Sequence, residues 1–224
     1  MKKYLSGKKI LITAGPTWVP IDKVRAITNV FGGALGFIMA ETAYKMGADV
    51  TLLFGPGRVC LPFPKKKFQI IKFKYFDELL KLVKKEVGSK KYNAVIHSAA
   101  VSDYTPVIAE KGKIKSGKKK LIIKLKPTIK IVDLIKKIDP DTFLVKFKLE
   151  VNLPEKKLID VARKSMISSN ADMMVANSFN AISTNHKAFI IDKSVNIKKV
   201  VGKKNIADSL LRVLSIKMKD DARR

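Results

Sequence analysis

Continuous apolar runs alternate along the chain with segments in which apolar positions recur every three or four residues. The run Lys9–Ala14 stops at Gly15-Pro16, which is typical of a buried strand. Between Leu35 and Met46 the apolar positions follow helical spacing, which predicts a helix with one buried face. The predicted strands are 9–14, 49–54, 68–73, 94–100, 120–126, 142–147, 173–176, 188–191 and 195–200. The predicted helices are 35–46, 76–87, 129–138, 154–168 and 203–218.

This alternation of strands and helices indicates an α/β fold. We expect a Rossmann-like, three-layer arrangement in which helices cover both faces of a parallel sheet. Ligands of such sheets bind beyond the carboxyl ends of the strands. Small residues stand at three of these ends, in Gly15-Pro16, Gly55-Pro56-Gly57 and Ser98-Ala99-Ala100. A ligand can approach the backbone closely at such residues, so we expect the binding site at this edge.

The segment 101–127 departs from the alternation. It is polar and rich in lysine, and its predicted strand, 120–126, has little helix beside it. A strand without such a partner is available as an arm for pairing with a second subunit. No internal repeat or linker divides the chain, so we expect a single domain over 1–224 that includes this arm.

The composition is that of a globular protein. The chain has 224 residues, of which 46% are hydrophobic, enough to bury a core without disulfides. No apolar run reaches the roughly 18 residues of a membrane-spanning helix. The amino terminus lacks the apolar stretch of a signal peptide. Cys60 is the only cysteine, which excludes an intramolecular disulfide, and we expect a soluble, cytoplasmic protein.

The formal net charge of +27 admits two interpretations. A basic surface binds nucleic acid by releasing counterions from the phosphate backbone, and it also attracts small anionic metabolites. The basic residues are mostly lysines spread along the whole chain, whereas arginine, which is favoured for contacts with base edges, is scarce. The sequence therefore favours anionic small molecules, and a nucleic-acid-binding module remains the alternative.

Gly32-Gly33-Ala34-Leu35-Gly36 opens the first long helix, where backbone N–H groups suit a phosphate. The dinucleotide pattern G-x-G-x-x-G is absent, and these glycines follow the first strand by about 18 residues, which disfavours a Rossmann oxidoreductase. An alternative is that they only allow a loop to pass close to a helix. The segment 112–119 nearly matches a phosphate loop but lacks its Ser or Thr and its flanking strand and helix, so we interpret it as a chance match.

Metal and nucleophile motifs are weak. His97 and His186 are far apart in sequence, and neither has a partner at ligand spacing. His97 lies in an apolar run and is predicted to be a core histidine. Cys60 lies between two apolar residues and is predicted to be a buried, inert thiol.

Several motifs occur in an order that resembles one enzyme family. They are Pro20-Ile21-Asp22-Lys23-Val24-Arg25 with Asn29 and Gly36, Ala99-Ala100-Val101-Ser102-Asp103-Tyr104, Lys113-Ile114-Lys115, and the segment 170–177. From about Lys9 to Leu214 the chain resembles the phosphopantothenate–cysteine ligases. The family implies that CTP or ATP activates the carboxylate of 4'-phosphopantothenate as an acyl-nucleotide, and that the amine of cysteine then forms the amide on the route to coenzyme A.

The resemblance also implies roles for individual residues. Asn29 would donate to the acyl or phosphoryl oxygen, Arg25 would shape that pocket or form a structural ion pair, and Lys113 would cover the ligand from a mobile flap. Asp103 would face the ribose, base or magnesium ion, and Phe147 would stack on the base or belong to the core. The implied nucleotide-binding residues are Gly15, Gly32, Gly33, Gly36, Ala99, Asp103, Phe147 and Asn177.

The family further implies partners and assembly. Relatives dimerise through the arm after Asp103 and place the flap lysine over a shared or neighbouring site, so we expect a homodimer. Many bacterial relatives are fused to a flavin-dependent decarboxylase. Because this chain begins at the ligase's first strand, we expect a stand-alone ligase without flavin, with a separate decarboxylase in the pathway.

Some positions depart from the family pattern. Trp18 replaces a polar or charged residue, Ala34 replaces a lysine, and Lys146 replaces a glycine. Ser165 and Ser169 stand where lysines are expected, which weakens the implied contacts with the triphosphate. Lys146, Lys148 or Lys164 would have to compensate, the nucleotide would have to differ, or the chain would be a divergent paralogue without ligase activity.

Overall fold

A mixed sheet of eight strands forms the centre of this computed structural model, which describes residues 2–57, 68–179 and 186–221. The strands are β1 (Lys9–Ala14), β2 (Trp18–Pro20), β3 (Ala26–Thr28), β4 (Asp49–Phe54), β5 (Gln69–Lys72), β6 (Ala94–His97), β7 (Tyr104–Pro106), β8 (Leu125–Pro127), β9 (Phe143–Val151), β10 (Met173–Phe179), β11 (Lys187–Asp192) and β12 (Ile197–Val201). The helices are α1 (Ala34–Lys45), α2 (Phe76–Gly88), α3 (Ile131–Ile138), α4 (Glu155–Ser168) and α5 (Lys203–Asp221).

The order of strands in the large sheet is β12-β11-β10-β9-β6-β1-β4-β5. The strands from β5 to β10 are parallel, and β11 and β12 join the far edge as an antiparallel hairpin. This topology confirms the predicted α/β fold and the predicted terminal hairpin. It also places the carboxyl ends of the parallel strands along one edge of the sheet.

Helices cover both faces of the sheet. Because alternate residues of a strand point to opposite faces, β1 contributes to two cores. Ile10 and Ile12 pack on one side with residues of α1 and α5, whereas Leu11 packs on the other side with residues of α2, α3 and α4. All three side chains are completely buried. Burial on both faces explains why the central strands are continuous apolar runs.

Two small antiparallel pairs lie outside the large sheet, β2 with β3 and β7 with β8. The first pair was not predicted, because its three-residue strands are too short to show alternation. The predicted strand 120–126 is wrong for most of its length, since β8 begins at Leu125 and pairs only with β7. Leu121 and Ile122 are 51% and 68% exposed, so these apolar side chains are not part of the core that the described residues form.

Two further outcomes concern predicted features. No strand leads directly into the segment 112–119 and no helix follows it, since β7 ends at Pro106 and the next element is β8 at Leu125, which agrees with the interpretation of its likeness to a phosphate loop as a chance match. Cys60 lies outside the described residues. Within the parts of the chain that the structure describes, no helix is long and apolar enough to cross a membrane.

Candidate active site

A cleft of about 850 Å³ lies at the carboxyl ends of the parallel strands. Its walls are the start of α1, the ends of β6, β9 and β10, and the starts of α4, β11 and α5. Most of the predicted nucleotide-binding residues line it, namely Gly32, Gly33, Gly36, Ala99, Phe147 and Asn177. Gly15, Asp103, Asn29, Arg25 and Lys113 are not among its lining residues. Residues distant in sequence thus meet at the predicted edge of the sheet.

Two glycines allow α1 to begin directly above the end of β1. Gly33 has a φ of 81°, and a Cβ there would lie 2.6 Å from the backbone nitrogen of Gly15. A Cβ on Gly36 would lie 2.3 Å from that of Ala14 and 2.8 Å from Ser98 Oγ. Both interpretations of the glycines therefore have a structural basis, because the same residues permit close packing and line the cleft. Gly15 lies beneath Gly33 and serves this packing.

A buried polar group supports the end of β6. His97 Nδ1 lies 3.0 Å from Thr13 Oγ1, and that hydroxyl accepts a hydrogen bond of 3.2 Å from the Ala99 backbone N–H. Burial lowers the pKa of His97 to about 4, and the charge of Lys146 on the neighbouring strand contributes in the same direction. His97 is 7% exposed and neutral at pH 7, which confirms the predicted core histidine.

Asn29 lies beside the end of β6. Its side-chain Nδ2 donates to the carbonyl of Ala100 at 2.9 Å and to that of Val101 at 3.4 Å. The side chain therefore ties the segment after β3 to the segment after β6. Its donors contact protein carbonyls, so donation to a ligand requires that one of these hydrogen bonds be exchanged.

The turn between β2 and β3 contains Arg25 and contacts the segment that carries Lys113. Arg25 Nη1 lies 2.5 Å from Asp22 Oδ2 and donates to the Ile114 carbonyl at 3.2 Å, so the predicted ion pair is present. Lys113 is exposed and precedes Ile114 in the segment held by this turn. Sequence reasoning missed Asp22 as a separate site residue, although it lies within the Pro20–Arg25 motif.

Asp103 begins the arm and forms an ion pair with Lys130. Its side chain is 60% exposed. Among the described residues no group of three or more His, Cys, Asp or Glu side chains is placed to hold a metal ion. Asp103 thus offers a single carboxylate that already has a cationic partner, and these residues do not form a resident magnesium site.

Two aromatic side chains that contact each other line one part of the cleft. Phe31, before α1, and Phe179, at the end of β10, meet edge to face with ring centroids 5.6 Å apart. Both residues line the cleft, and Phe179 is 38% exposed. Neither ring was predicted as a site residue, because the contact joins segments about 150 residues apart in sequence. The pair adds an apolar surface that a nucleobase or an aliphatic chain can contact.

Charged residues stand at the mouth of the cleft. Glu155, at the start of α4, pairs with Lys187 and Lys199, and these ammonium groups lower the pKa of its carboxyl. Burial and the charge of Lys203 lower the pKa of His186. Lys187, His186 and Lys203 line the cleft, and none was predicted, because isolated basic residues give no signal in a lysine-rich chain.

Three residues that differ from the pattern expected for the family, Lys146, Ser165 and Ser169, contact one another. Lys146 Nζ donates to the Ser165 carbonyl at 3.1 Å and to Ser169 Oγ at 2.9 Å. Burial lowers the pKa of this ammonium group. Its described hydrogen bonds therefore go to the carboxyl end of α4.

Two other residues that differ from the expected family pattern lie elsewhere. Trp18 lies in β2, where Lys74 Nζ is 4.8 Å from its ring centroid, and Ala34 is the first residue of α1.

Comparisons with known proteins agree with this architecture. The chain is 38% identical over 189 residues to the coenzyme A biosynthesis bifunctional protein CoaBC of Thermococcus kodakarensis. The aligned region covers 84% of this chain and 46% of that protein. The chain thus spans about half the length of this curated relative.

Two solved structures have similar folds. The DNA/pantothenate metabolism flavoprotein of Streptococcus pneumoniae matches 94% of this chain and 100% of its own, with 34% identity and a TM-score of 0.85. A Cab2 variant in complex with phosphopantothenate-cysteine matches 97% of this chain and 89% of its own, with 19% identity and a TM-score of 0.77. At this level of identity the match shows a shared fold only.

The family comparison covers nearly the whole chain. Residues 5–217 match the family described as the DNA/pantothenate metabolism flavoprotein C-terminal domain. This range includes every element from β1 to β12 and most of α5. The chain belongs to that family, and the assignment made from the Pro20–Arg25, Ala99–Tyr104 and Lys113–Lys115 motifs is confirmed.

Proposed function

We propose that the chain is a ligase that joins 4'-phosphopantothenate to L-cysteine at the expense of CTP or ATP. The observation that carries this proposal is the cleft, in which a glycine-rich helix start, a small strand end and an aromatic side chain face one another. Its size suits a ligand such as a nucleotide. The family and the CoaBC relative point to coenzyme A biosynthesis as the setting of this chemistry.

The proposed reaction has two steps. A carboxylate oxygen attacks the α-phosphorus of the nucleotide, a new P–O bond forms, and pyrophosphate leaves. The amine of cysteine then attacks the acyl carbon, the bond to the nucleotide oxygen breaks, and the amide and nucleoside monophosphate are released with a proton. Activation is needed because an unmodified carboxylate would have to expel oxide. No atom changes oxidation state, so the reaction needs no flavin.

The lining residues suit the binding of a nucleotide. Backbone N–H groups at Gly32 and Gly33 open α1 and can donate to phosphate oxygens. Phe147 offers a half-buried ring for a base, and Asn177 offers an amide at the end of β10. Lys187 and Lys203 add positive charge at the mouth, where they lower the free energy of bound polyanions.

Asn29 and Lys113 are the proposed catalytic residues, with Arg25 beside them. Asn29 would stabilise the oxygen charge that develops on the acyl or phosphoryl group. Lys113 would cover the acyl-nucleotide from the flap, within a homodimer whose arm, 101–127, brings the flap to a shared or neighbouring cleft. Magnesium would arrive with the triphosphate, and Asp103 would become a ligand to it only by giving up its ion pair with Lys130.

An assay of pyrophosphate release tests the reaction. CTP and ATP are each combined with 4'-phosphopantothenate, with and without cysteine, in the presence of magnesium. Pyrophosphate should appear only when phosphopantothenate is present, and one nucleotide should be preferred. A chain that binds nucleotide without this turnover would be the non-ligase paralogue, and the proposal would fail.

Two variants test the site. Asn29→Ala and Lys113→Ala should each remain folded and lose a factor of about 10² or more in kcat, the scale of removing one donor from a developing oxyanion. Lys111→Ala, an exposed lysine two residues before Lys113, is the matched control and should keep the parental rate. Full activity in both Asn29→Ala and Lys113→Ala would show that the site is misassigned.

A further inference from the structure

The turn between β2 and β3 forms hydrogen bonds with the segment that carries Lys113. The Glu110 N–H donates to the Ile21 carbonyl at 3.0 Å, and the Lys23 N–H donates to the Gly112 carbonyl at 3.2 Å. One residue beyond Lys113, the Ile114 N–H donates to Asp22 Oδ2 at 3.0 Å. The backbone is therefore held immediately before and immediately after the lysine.

Arg25 adds a bond to the same turn, since its guanidinium donates to the Ile114 carbonyl at 3.2 Å. Within the described residues, every hydrogen bond from 108–119 to the rest of the chain goes to residues 21–25. No helix or strand includes this segment, and most of it is exposed. Its described hydrogen bonds to the rest of the chain are therefore concentrated at this turn.

Asp22 is at the centre of that set. Its residue is 4% exposed, and Oδ1 accepts the backbone N–H groups of Val24 and Arg25 at 2.8 and 2.7 Å. Oδ2 accepts the Ile114 N–H and the Arg25 guanidinium. Burial alone would raise the pKa of Asp22, but the N–H donors of Ile114, Val24 and Arg25 lower it to about 2. The group is an anion at any pH at which the enzyme would work.

We propose that Asp22 is a positioning residue whose carboxylate fixes the flap backbone around Lys113 and so sets where that ammonium group is presented to the ligand. The proposal rests on the proposed function of Lys113. Four donors converge on this carboxylate, and an amide of the same shape cannot accept from all of them, because its nitrogen is itself a donor.

Hydrogen exchange of Asp22→Asn tests the contact directly. The Ile114 amide should exchange about tenfold faster or more in the variant, because its acceptor is lost or weakened. Trypsin should also cut after Lys113 and Lys115 at a higher rate. Asp22→Glu keeps the charge and should restore part of the protection. Unchanged exchange at Ile114 in Asp22→Asn would overturn the proposal.

Asp192→Asn is the matched control. Asp192 is also 4% exposed and also accepts a backbone N–H and two side-chain donors, but it is the last residue of β11, in a different part of the fold. Its variant should lower the free energy of unfolding and leave exchange at Ile114 and the rate per folded molecule unchanged. A similar loss of rate in both variants would show that Asp22 matters only for stability.

A double-mutant cycle separates positioning from stability. Asp22→Asn should lower kcat by about tenfold in the parent chain and have no further effect in Lys113→Ala, because the lysine it positions is gone. Additive losses would overturn the proposal. If the parent chain releases no pyrophosphate, the proposed function fails, whereas the exchange of Ile114 still decides whether Asp22 holds the flap.

Discussion

At the scale of single residues, the structure shows side chains whose roles depend on neighbours from other strands. His97 illustrates this, since Thr13 on β1 and Lys146 on β9 flank it across the sheet. Its position in an apolar run predicted burial. The neighbouring lysine could not be predicted, because it is 49 residues away and its proximity follows from the order of strands.

The lowered pKa of His97 predicts a pH-dependent stability. The imidazole binds a proton near pH 6.5 in the unfolded chain and near pH 4 in the folded chain. Between these values the unfolded state binds more protons, so the free energy of unfolding should fall as the pH drops from about 6.5 to 4. The full contribution is present above pH 6.5, and its loss amounts to at most about 3 kcal/mol.

Urea denaturation at pH 7 and at pH 4.5 measures this loss. His97→Gln keeps a hydrogen-bonding group beside Thr13 but cannot titrate, so its stability should change less between the two pH values. His186→Gln is the control, because that residue is exposed, and its variant should keep most of the pH dependence of the parent chain. Equal pH dependence in the parent chain and in His97→Gln would assign the effect to other groups.

At the scale of elements, a strand residue completes the end of a helix. Lys146 extends from β9 to the last turn of α4, where it joins the hydroxyl groups of Ser168 and Ser169 as donors to the Ser165 carbonyl. A cation at this end also interacts favourably with the helix dipole. Lys146, Ser165 and Ser169, where the family resemblance implies other residues, thus contact one another. We infer that Lys146 serves α4 and does not replace the missing triphosphate contacts.

Lys146→Met tests this role. The variant keeps the apolar part of the side chain and removes the donor, so the free energy of unfolding should fall by about 1–2 kcal/mol. Lys148→Met is the matched control on the same strand, since that lysine pairs with Glu150 at the surface and should matter by at most about 1 kcal/mol. An increased KM for nucleotide in Lys146→Met at unchanged stability would contradict the inference.

The sequence predicted the large elements well and the small ones poorly. Runs such as Asp49–Phe54 and helices such as α2 are long enough for their periodicity to be visible. The strands β2 and β3 have three residues each, and their pairing is fixed by the Asp22 turn, whose contacts with Ile114 no local pattern indicates. The apolar residues of 120–126 predicted a strand, but the strand begins only at Leu125, and Leu121 and Ile122 are exposed.

The candidate site was predictable where a residue type is unusual for its element. Gly36 at a helix start and Ala99 after a strand are small residues where a larger one would obstruct packing or access. No local sequence feature distinguishes Lys187, Lys203 and Phe179 from other lysines and phenylalanines of the chain. These residues line the same cleft because of the way β10, β11 and α5 are arranged in the fold. Their contribution therefore required the three-dimensional arrangement.

At the scale of the whole molecule, exposed apolar side chains gather on the arm. Tyr104, Val107 and Ile108 are 57%, 49% and 80% exposed, and Leu121 and Ile122 follow on the same segment. Exposed apolar side chains that lie close together mark interaction surfaces in otherwise charged proteins. The arm is also rich in lysine, and the chain has a net charge of +27, so a dimer through the arm has to form on its apolar side chains and leave these lysines in solvent.

We therefore expect the homodimer to form through this arm. Sedimentation at micromolar concentration should show a dimer, and Ile108→Glu should shift it to monomer, because a charged group in place of this apolar side chain would have to lose its hydration in the contact. Ile167→Glu is the matched control, since Ile167 is 77% exposed on α4, away from the arm, and its variant should remain a dimer. If Lys113 acts on a shared or neighbouring site, the monomeric variant should also lose pyrophosphate release while it remains folded. A parent chain that sediments only as a monomer would contradict the assembly, and a fully active Ile108→Glu monomer would show that each subunit completes its own site.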